Sequence, residues 1–133
     1  DGTTPILSAC FAGSPKIVDL LLAAGADPEA VDCEGRGVCL LAAESGSVPL
    51  LASLLDRGLA TLAEIAEDGS TPLLSAAMGG CAEMVAWLLD GPPASAATPS
   101  MEELDSRGAN AMLAAAEGGS VEVIRVLSRR GAA

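Results

Sequence analysis

The sequence contains no histidine and no tyrosine, and its only aromatic residues are Phe11 and Trp87. Without histidine the chain lacks the commonest general base and metal ligand at neutral pH. Ser/His/Asp and Cys/His nucleophilic arrangements are therefore excluded. Cations are scarce: seven Lys and Arg stand against eighteen Asp and Glu, for a net charge of −11. An acidic surface repels phosphate, which argues against direct nucleic-acid binding. No uninterrupted apolar run reaches the roughly 18 residues that a membrane-spanning helix needs, so no direct membrane insertion is expected, and no signal peptide is visible. The four cysteines, Cys10, Cys33, Cys39 and Cys81, form no C-x-x-C pair. A zinc site would need a tighter cluster. Cys10 and Cys39 fall at core positions, where a free thiol behaves as a small hydrophobe. All four are expected to be reduced, which points to an intracellular, cytoplasmic location. No cofactor and no metal are expected.

What is present is repetition. The stretch Asp68–Leu89, DGSTPLLSAAMGGCAEMVAWLL, returns in three further versions that begin at Asp1, Glu34 and Arg107. Aligned on the residue before the first helix, the units start at Thr4, Gly37, Thr71 and Asn110, in steps of 33, 34 and 39 residues. At 133 residues the chain has the size of one domain. It divides into repeats at about 1–31, 32–67, 68–104 and 105–133.

Each unit spells turn, short helix, tight turn, longer helix. Gly2, Gly35, Gly69 and Gly108 precede the units, where a turn residue with positive φ is least costly as glycine. Thr4 and Thr71 offer side-chain oxygens as N-caps, and Pro5 and Pro72 take the first helical position, where no N–H is required. Asn110 can cap equally well, whereas Gly37 has no capping side chain, so the first helix of the second repeat is expected to fray. Gly13, Gly46, Gly80 and Gly119 end the first helices. Ser14, Ser47 and Ser120 then cap the second helices, and Gly25, Gly58 and Gly131 close them. The first helix of repeat one is placed at Pro5–Ala12 and the second at Pro15–Ala24. The pairs Ile6-Leu7, Cys39-Leu40, Leu73-Leu74 and Met112-Leu113 on the first helices meet Leu20–Leu22, Leu54-Leu55, Trp87–Leu89 and Val126-Leu127 on the second. Small pairs, Ala9-Cys10, Ala42-Ala43, Ala76-Ala77 and Ala115-Ala116, let neighbouring units approach closely. One such unit cannot bury its apolar face alone, so the stack is the smallest stable object.

Two segments depart from the pattern. Leu59–Glu67 is slightly long and is expected to add a helical turn over Leu62–Ile65. Gly91–Leu104 accounts for the 39-residue step. It opens on Gly91-Pro92-Pro93, a hard stop for a helix, and its Ser100-x-x-Glu103 spacing fits a capping box for a short turn at Met101–Leu104. It reads either as a tolerated surface insertion or as a partner-specific protrusion.

Over its whole length the chain resembles ankyrin repeats, which share a period near 33 and the T-P-L-H wording. The signal is carried by D-G-x-T-P in repeats one and three and by Gly25-Ala26-Asp27. The family histidine is replaced by Leu7, Leu40, Leu74 and Leu113, and the second family histidine by Ser14, Ser47, Cys81 and Ser120. Leucine shifts stabilisation from hydrogen bonding between turns to apolar packing. The resemblance implies an all-α ankyrin-repeat solenoid of stacked helix–turn–helix pairs with intervening β-turn loops. It also implies protein binding rather than catalysis, through turn tips and the concave face of the first helices. Carried over by position, the partner-binding candidates are Phe11, Glu34, Arg36, Leu41, Glu44, Ser70, Ser75, Met78, Arg107 and Glu117. Phe11, Leu41 and Met78 are expected to form an exposed apolar series, or else to be partly covered by neighbouring turns. Trp87 is read as packing on the core or back face.

The function implied is a non-catalytic protein–protein interaction module, an adaptor or scaffold subunit of a larger hetero-complex whose protein partner carries a basic surface. The alternatives are a regulatory inhibitor of a partner enzyme such as a kinase, and the ankyrin portion of a longer multidomain protein. The opening at Asp1, in the middle of a turn, favours a chain that is part of something longer. Glu64 with Glu67, and Glu102 with Glu103, are the carboxylate pairs available for acid–base work, and no nucleophile stands with them.

Overall fold

A computed structural model describes residues 2–90 and 104–130 of the chain. Eight helices stand among the described residues: α1 Pro5–Ala12, α2 Pro15–Ala23, α3 Val38–Ser45, α4 Val48–Asp56, α5 Pro72–Met78, α6 Ala82–Asp90, α7 Ala111–Glu117 and α8 Val121–Arg129. No strand occurs among those residues, and no helix there is long and apolar enough to cross a membrane. Asp1, Gly131, and the 91–103 part of the insertion with its capping box and helical turn, lie outside the described residues.

The helix starts follow the capping chemistry. Thr4 Oγ1 accepts from the Leu7 N–H at 3.4 Å, Thr71 Oγ1 from Leu74 at 3.3 Å and Asn110 Oδ1 from Leu113 at 3.0 Å. Ser14, Ser47 and Ser120 cap α2, α4 and α8 in the same way. Gly13 and Gly46 end α1 and α3 with φ of 74° and 81°, the left-handed region that disfavours a Cβ.

Gly37 supplies no side-chain cap to α3, as expected, but the helix start is capped from elsewhere in the chain. The Glu64 carboxylate reaches back across 27 residues, and its Oε1 accepts from the Gly37 N–H at 2.7 Å. The nearby N–H groups of Cys39 and Leu40 also favour its negative charge. The donors left unpaired at a helix N-terminus are thus satisfied by a distant side chain instead of by the cap residue itself. The segment carrying Glu64 forms a hydrogen-bonded turn at 62–63, not the expected turn of helix, and this brings the carboxylate under α3.

The inner helices α1, α3, α5 and α7 pack side by side in a row, each also against its own outer partner α2, α4, α6 or α8. Cys10, Cys39, Ala42, Ala43, Ala76, Ala77 and Ala115 are buried in this row, and Leu40, Leu51, Leu54, Leu73 and Leu88 fill the layer between inner and outer helices. Small side chains draw the inner helices together more closely than the outer ones, which touch far less. The stack therefore curves toward its inner side. Trp87 is half-buried against the core, as its position on the outer helix suggested. Leu113 departs from the core pattern at 48% exposure, and Ala116 is also exposed. Both lie on α7, which has an inner neighbour on one side among the described residues.

Candidate functional site

Four side chains stand at equivalent places near the ends of the inner helices, one per helix: Phe11 on α1, Glu44 on α3, Met78 on α5 and Glu117 on α7. Phe11 is 55% exposed and Met78 37% exposed. The column therefore alternates apolar and acidic along the concave side. One helical turn earlier lies a second column of Ser8, Leu41, Ser75 and Ala114. Here the structure corrects the sequence reading: Leu41 is only 4% exposed, and Ser75 and Ala114 are also buried. Inner helices flank α3 and α5 on both sides. Ser8, on α1, which has one inner neighbour among the described residues, is exposed. Leu41 and Ser75 thus form floor and not contact surface.

The turn tips complete the surface. Asp32 Oδ1 accepts from the N–H groups of Glu34 (2.9 Å) and Arg36 (3.0 Å), and Asp105 Oδ1 from those of Arg107 (2.8 Å) and Ala109 (3.0 Å). These Asx turns give each tip a fixed shape. Successive tips are joined by main-chain bonds, Glu67 N–H to Glu34 O at 3.0 Å and Ser106 N–H to Asp68 O at 2.8 Å. Arg36 Nε meets Asp32 Oδ2 at 2.8 Å and Glu34 at 3.3 Å, and its NH1 reaches Glu44 at 3.5 Å. Arg107 repeats the arrangement two units on, with Asp105 at 3.0 Å and Glu117 at 3.3 Å. Each guanidinium is thus shared among more carboxylates than it can neutralise.

These groups enclose two adjoining hollows. The first, of about 250 Å³, lies among Thr3, Leu7, Phe11, Asp32, Leu41 and Glu44. The second, of about 170 Å³, lies among Glu34, Asp68, Ser70, Met78, Asp105 and Arg107, over Ser75 and Ala114. Arg36 and Glu44 form the wall between them. Of the residues predicted from sequence, the structure gathers nine of ten around these hollows and places Glu117 beside them through Arg107.

The electrostatics follow from this crowding. Burial pushes the Asp32 carboxyl up, but the N–H groups of Arg36 and Glu34 and the Arg36 guanidinium more than offset it, and the net shift is down. The Ala109 N–H and the Arg107 side chain hold Asp105 below the usual carboxylate range. Glu44 is shifted up, first by burial, with Arg36 opposing and the nearby Glu34 and Asp32 charges adding to the rise. Its negative charge is therefore held at a cost that an incoming cation would relieve. Glu64 is also shifted up by burial, against the pull of the Gly37, Leu40 and Cys39 N–H groups at the start of α3. The sequence reading named Glu64 only as one half of a carboxylate pair with Glu67. The missing side chain at Gly37 was the signal that a cap had to come from elsewhere.

All four cysteines are free, Cys10 and Cys39 buried and Cys33 exposed. No group of three or more Cys, Asp or Glu among the described residues is placed to hold a metal ion. The arrangement offers charged turn tips and partly apolar hollows on a row of packed helices.

A family model for three copies of ankyrin repeats matches residues 39–133, and a model for a single ankyrin repeat matches residues 1–33. Over 85 residues the sequence is 38% identical to NF-kappa-B inhibitor delta of Mus musculus, an alignment that covers 63% of this chain and 26% of that protein. The chain thus aligns with about a quarter of that relative's length. With inner and outer helices stacked in pairs, glycine-ended turns between them and family matches from end to end, the chain belongs to the ankyrin-repeat family.

Proposed function

We propose that this chain is a non-catalytic protein-interaction domain of four repeats, 1–31, 32–67, 68–104 and 105–133, that holds a partner protein on its concave side. The carrying observation is the pair of adjoining hollows, walled by Arg36 and Glu44 and rimmed by Phe11 and Met78. The contact residues are Phe11, Glu34, Arg36, Glu44, Ser70, Met78, Arg107 and Glu117, with Leu41 and Ser75 supporting them from below. The excess of carboxylates over cations on this side supports a partner with a basic surface, held within a hetero-complex as adaptor or scaffold. The test is affinity capture from the native source with the wild-type chain beside the triple variant Phe11→Ala, Glu44→Lys, Met78→Arg. Stoichiometric partners that the variant loses support the reading. The same partners retained by the variant would move docking away from the concave side.

A second reading is a regulatory inhibitor, supported by the similarity to NF-kappa-B inhibitor delta. It differs in outcome: a captured partner that is an enzyme or regulator loses activity when the chain is added in excess, whereas a scaffolded partner keeps it.

A further inference from the structure

The column Phe11, Glu44, Met78, Glu117 has an order as well as a charge. We infer that the concave groove takes an extended segment of a partner protein carrying apolar and cationic side chains in alternation, at about every third residue. This rests on the interaction reading above and adds to it the partner's chemistry and register.

The argument is one of spacing and complementarity. Packed helices lie roughly 8–10 Å apart, and an extended segment in the polyproline II conformation advances about 3.1 Å per residue with three residues per turn, which returns every third side chain to the same side. A segment crossing the row of inner helices therefore brings every third side chain over the next helix. The positions it meets are apolar at Phe11, acidic at Glu44, apolar at Met78 and acidic at Glu117. Both apolar members are exposed. Leu7 and Leu41 line the first hollow and Leu74 and Ala114 the second, so the stem of a long cationic side chain meets hydrocarbon before its head reaches a carboxylate.

The charge balance names the sign of the occupant. Five carboxylates and two guanidiniums line the two hollows, a net of −3. Arg36 is divided among Asp32, Glu34 and Glu44, and its contact with Glu44 is the longest of the three at 3.5 Å. A cation arriving at Glu44 leaves the tight Arg36–Asp32 bond in place. An anionic occupant would meet the same excess of carboxylates and be repelled.

The probe is a 14-residue glycine–serine peptide with Leu, Arg, Leu and Arg at every third position, titrated into the isotope-labelled chain and followed by amide shifts. The expected result is saturable movement at Phe11, Glu44, Met78 and Glu117, weakening steeply with added salt. Glu44→Gln with Glu117→Gln should weaken binding by roughly fivefold, the range of two half-exposed ion pairs. Glu44→Lys with Glu117→Lys should transfer preference to the peptide with Glu in place of Arg. Circular dichroism of each variant verifies that the fold is kept, and Glu122→Gln on the outer helix α8 serves as the control without effect. The inference is overturned if the peptide produces no shifts at millimolar concentration, if the shifts lie elsewhere, or if a peptide with the same residues in shuffled order binds equally well. Should those outcomes occur while native capture still depends on the concave residues, the interaction reading stands and the register alone falls.

Discussion

The cap that Glu64 supplies to α3 leads to a double-mutant prediction whose sign depends on the background. Replacing an N-cap side chain costs about 0.5–2 kcal/mol, and a hydrogen bond to a charged group contributes about 1.5–3 kcal/mol. Glu64 accepts from the Gly37 N–H and is favoured by the N–H groups of Cys39 and Leu40, but it is only half-buried and is itself held at some desolvation cost. Together these place Glu64→Ala at about 2 kcal/mol of destabilisation. Glu64→Gln keeps an acceptor oxygen and sheds the desolvated charge, so it should cost less than about 1 kcal/mol. With an unfolding entropy of about 2.1 cal/mol/K per residue, 133 residues turn 2 kcal/mol into a melting-temperature loss of about 7 °C. Now consider Gly37→Thr, which restores the family's own cap. Gly37 has φ of −104°, open to any residue, but a Cβ there would run into the Glu64 carboxylate. In the wild-type background the substitution should therefore gain nothing or destabilise. In the Glu64→Ala background the same substitution finds space and unpaired donors, and should recover about 1 kcal/mol. Urea unfolding of the four proteins, followed by far-ultraviolet circular dichroism, measures the coupling. If the two changes add to within about 0.5 kcal/mol, as independent sites do, the distant cap is not what holds α3.

Three further outcomes follow from the same structure. Gly79 has an ordinary right-handed backbone, where alanine normally helps by about 0.4–1 kcal/mol. A Cβ there would lie 2.5 Å from the Glu44 carbonyl oxygen, so Gly79→Ala should instead cost about 1–3 kcal/mol in the same unfolding assay. Stability should depend on pH in two limbs of opposite slope. Glu44 and Glu64 are raised above their ordinary 4.5, so the folded chain binds more protons in the window above that value and stability rises as pH falls toward it. Asp32 and Asp105 are lowered below their ordinary 3.8, so their contribution is present above that value and lost as pH falls through the folded values. The urea midpoint should thus climb from neutrality toward about pH 5 and drop below about pH 4, with Glu64→Gln flattening the first limb. A thiol reagent at neutral pH should modify exposed Cys33 first and half-buried Cys81 later. Burial, with the Glu64 charge adding, pushes the Cys10 thiol up to about 11, and burial raises Cys39 further still. Both should react only at the rate of unfolding, and rapid modification of either in the folded chain would contradict the packing of α1 against α3.

The start and stop residues made the fold legible, because each acts within its own turn: Thr-Pro at a helix start or a left-handed glycine at its end depends on little beyond neighbouring dihedrals. The candidate surface was legible to the extent that turn tips are always outside, so Glu34, Arg36, Ser70 and Arg107 came to one side. Leu41 and Ser75 were misread because burial on an inner helix depends on which helices stand beside it. Leu113, spelled as core, is exposed for the mirror-image reason. Glu64 was opaque because its role depends on a 27-residue return of the chain, and a single carboxylate in a loop carries no local mark of what it will meet. Gly79 and Gly118 carry no special mark in the sequence, yet each sits where a side chain would strike the carbonyl of the preceding inner helix. Only the packing distance between helices reveals that constraint.

The curvature that small residues impose on the inner row has a mechanical side. Each helix pair contacts its immediate neighbours almost alone, so a bending load passes through the junctions one after another and their compliances add in series. A tilt too slight to disturb any single junction, repeated along the row, changes the radius of the groove by several times as much at its ends. The Arg36 and Arg107 clusters are each confined to one helix pair and its own turn tip, so they ride on this motion without being stretched by it. Bending of the row would thus change the radius of the groove while each charged contact keeps its local geometry.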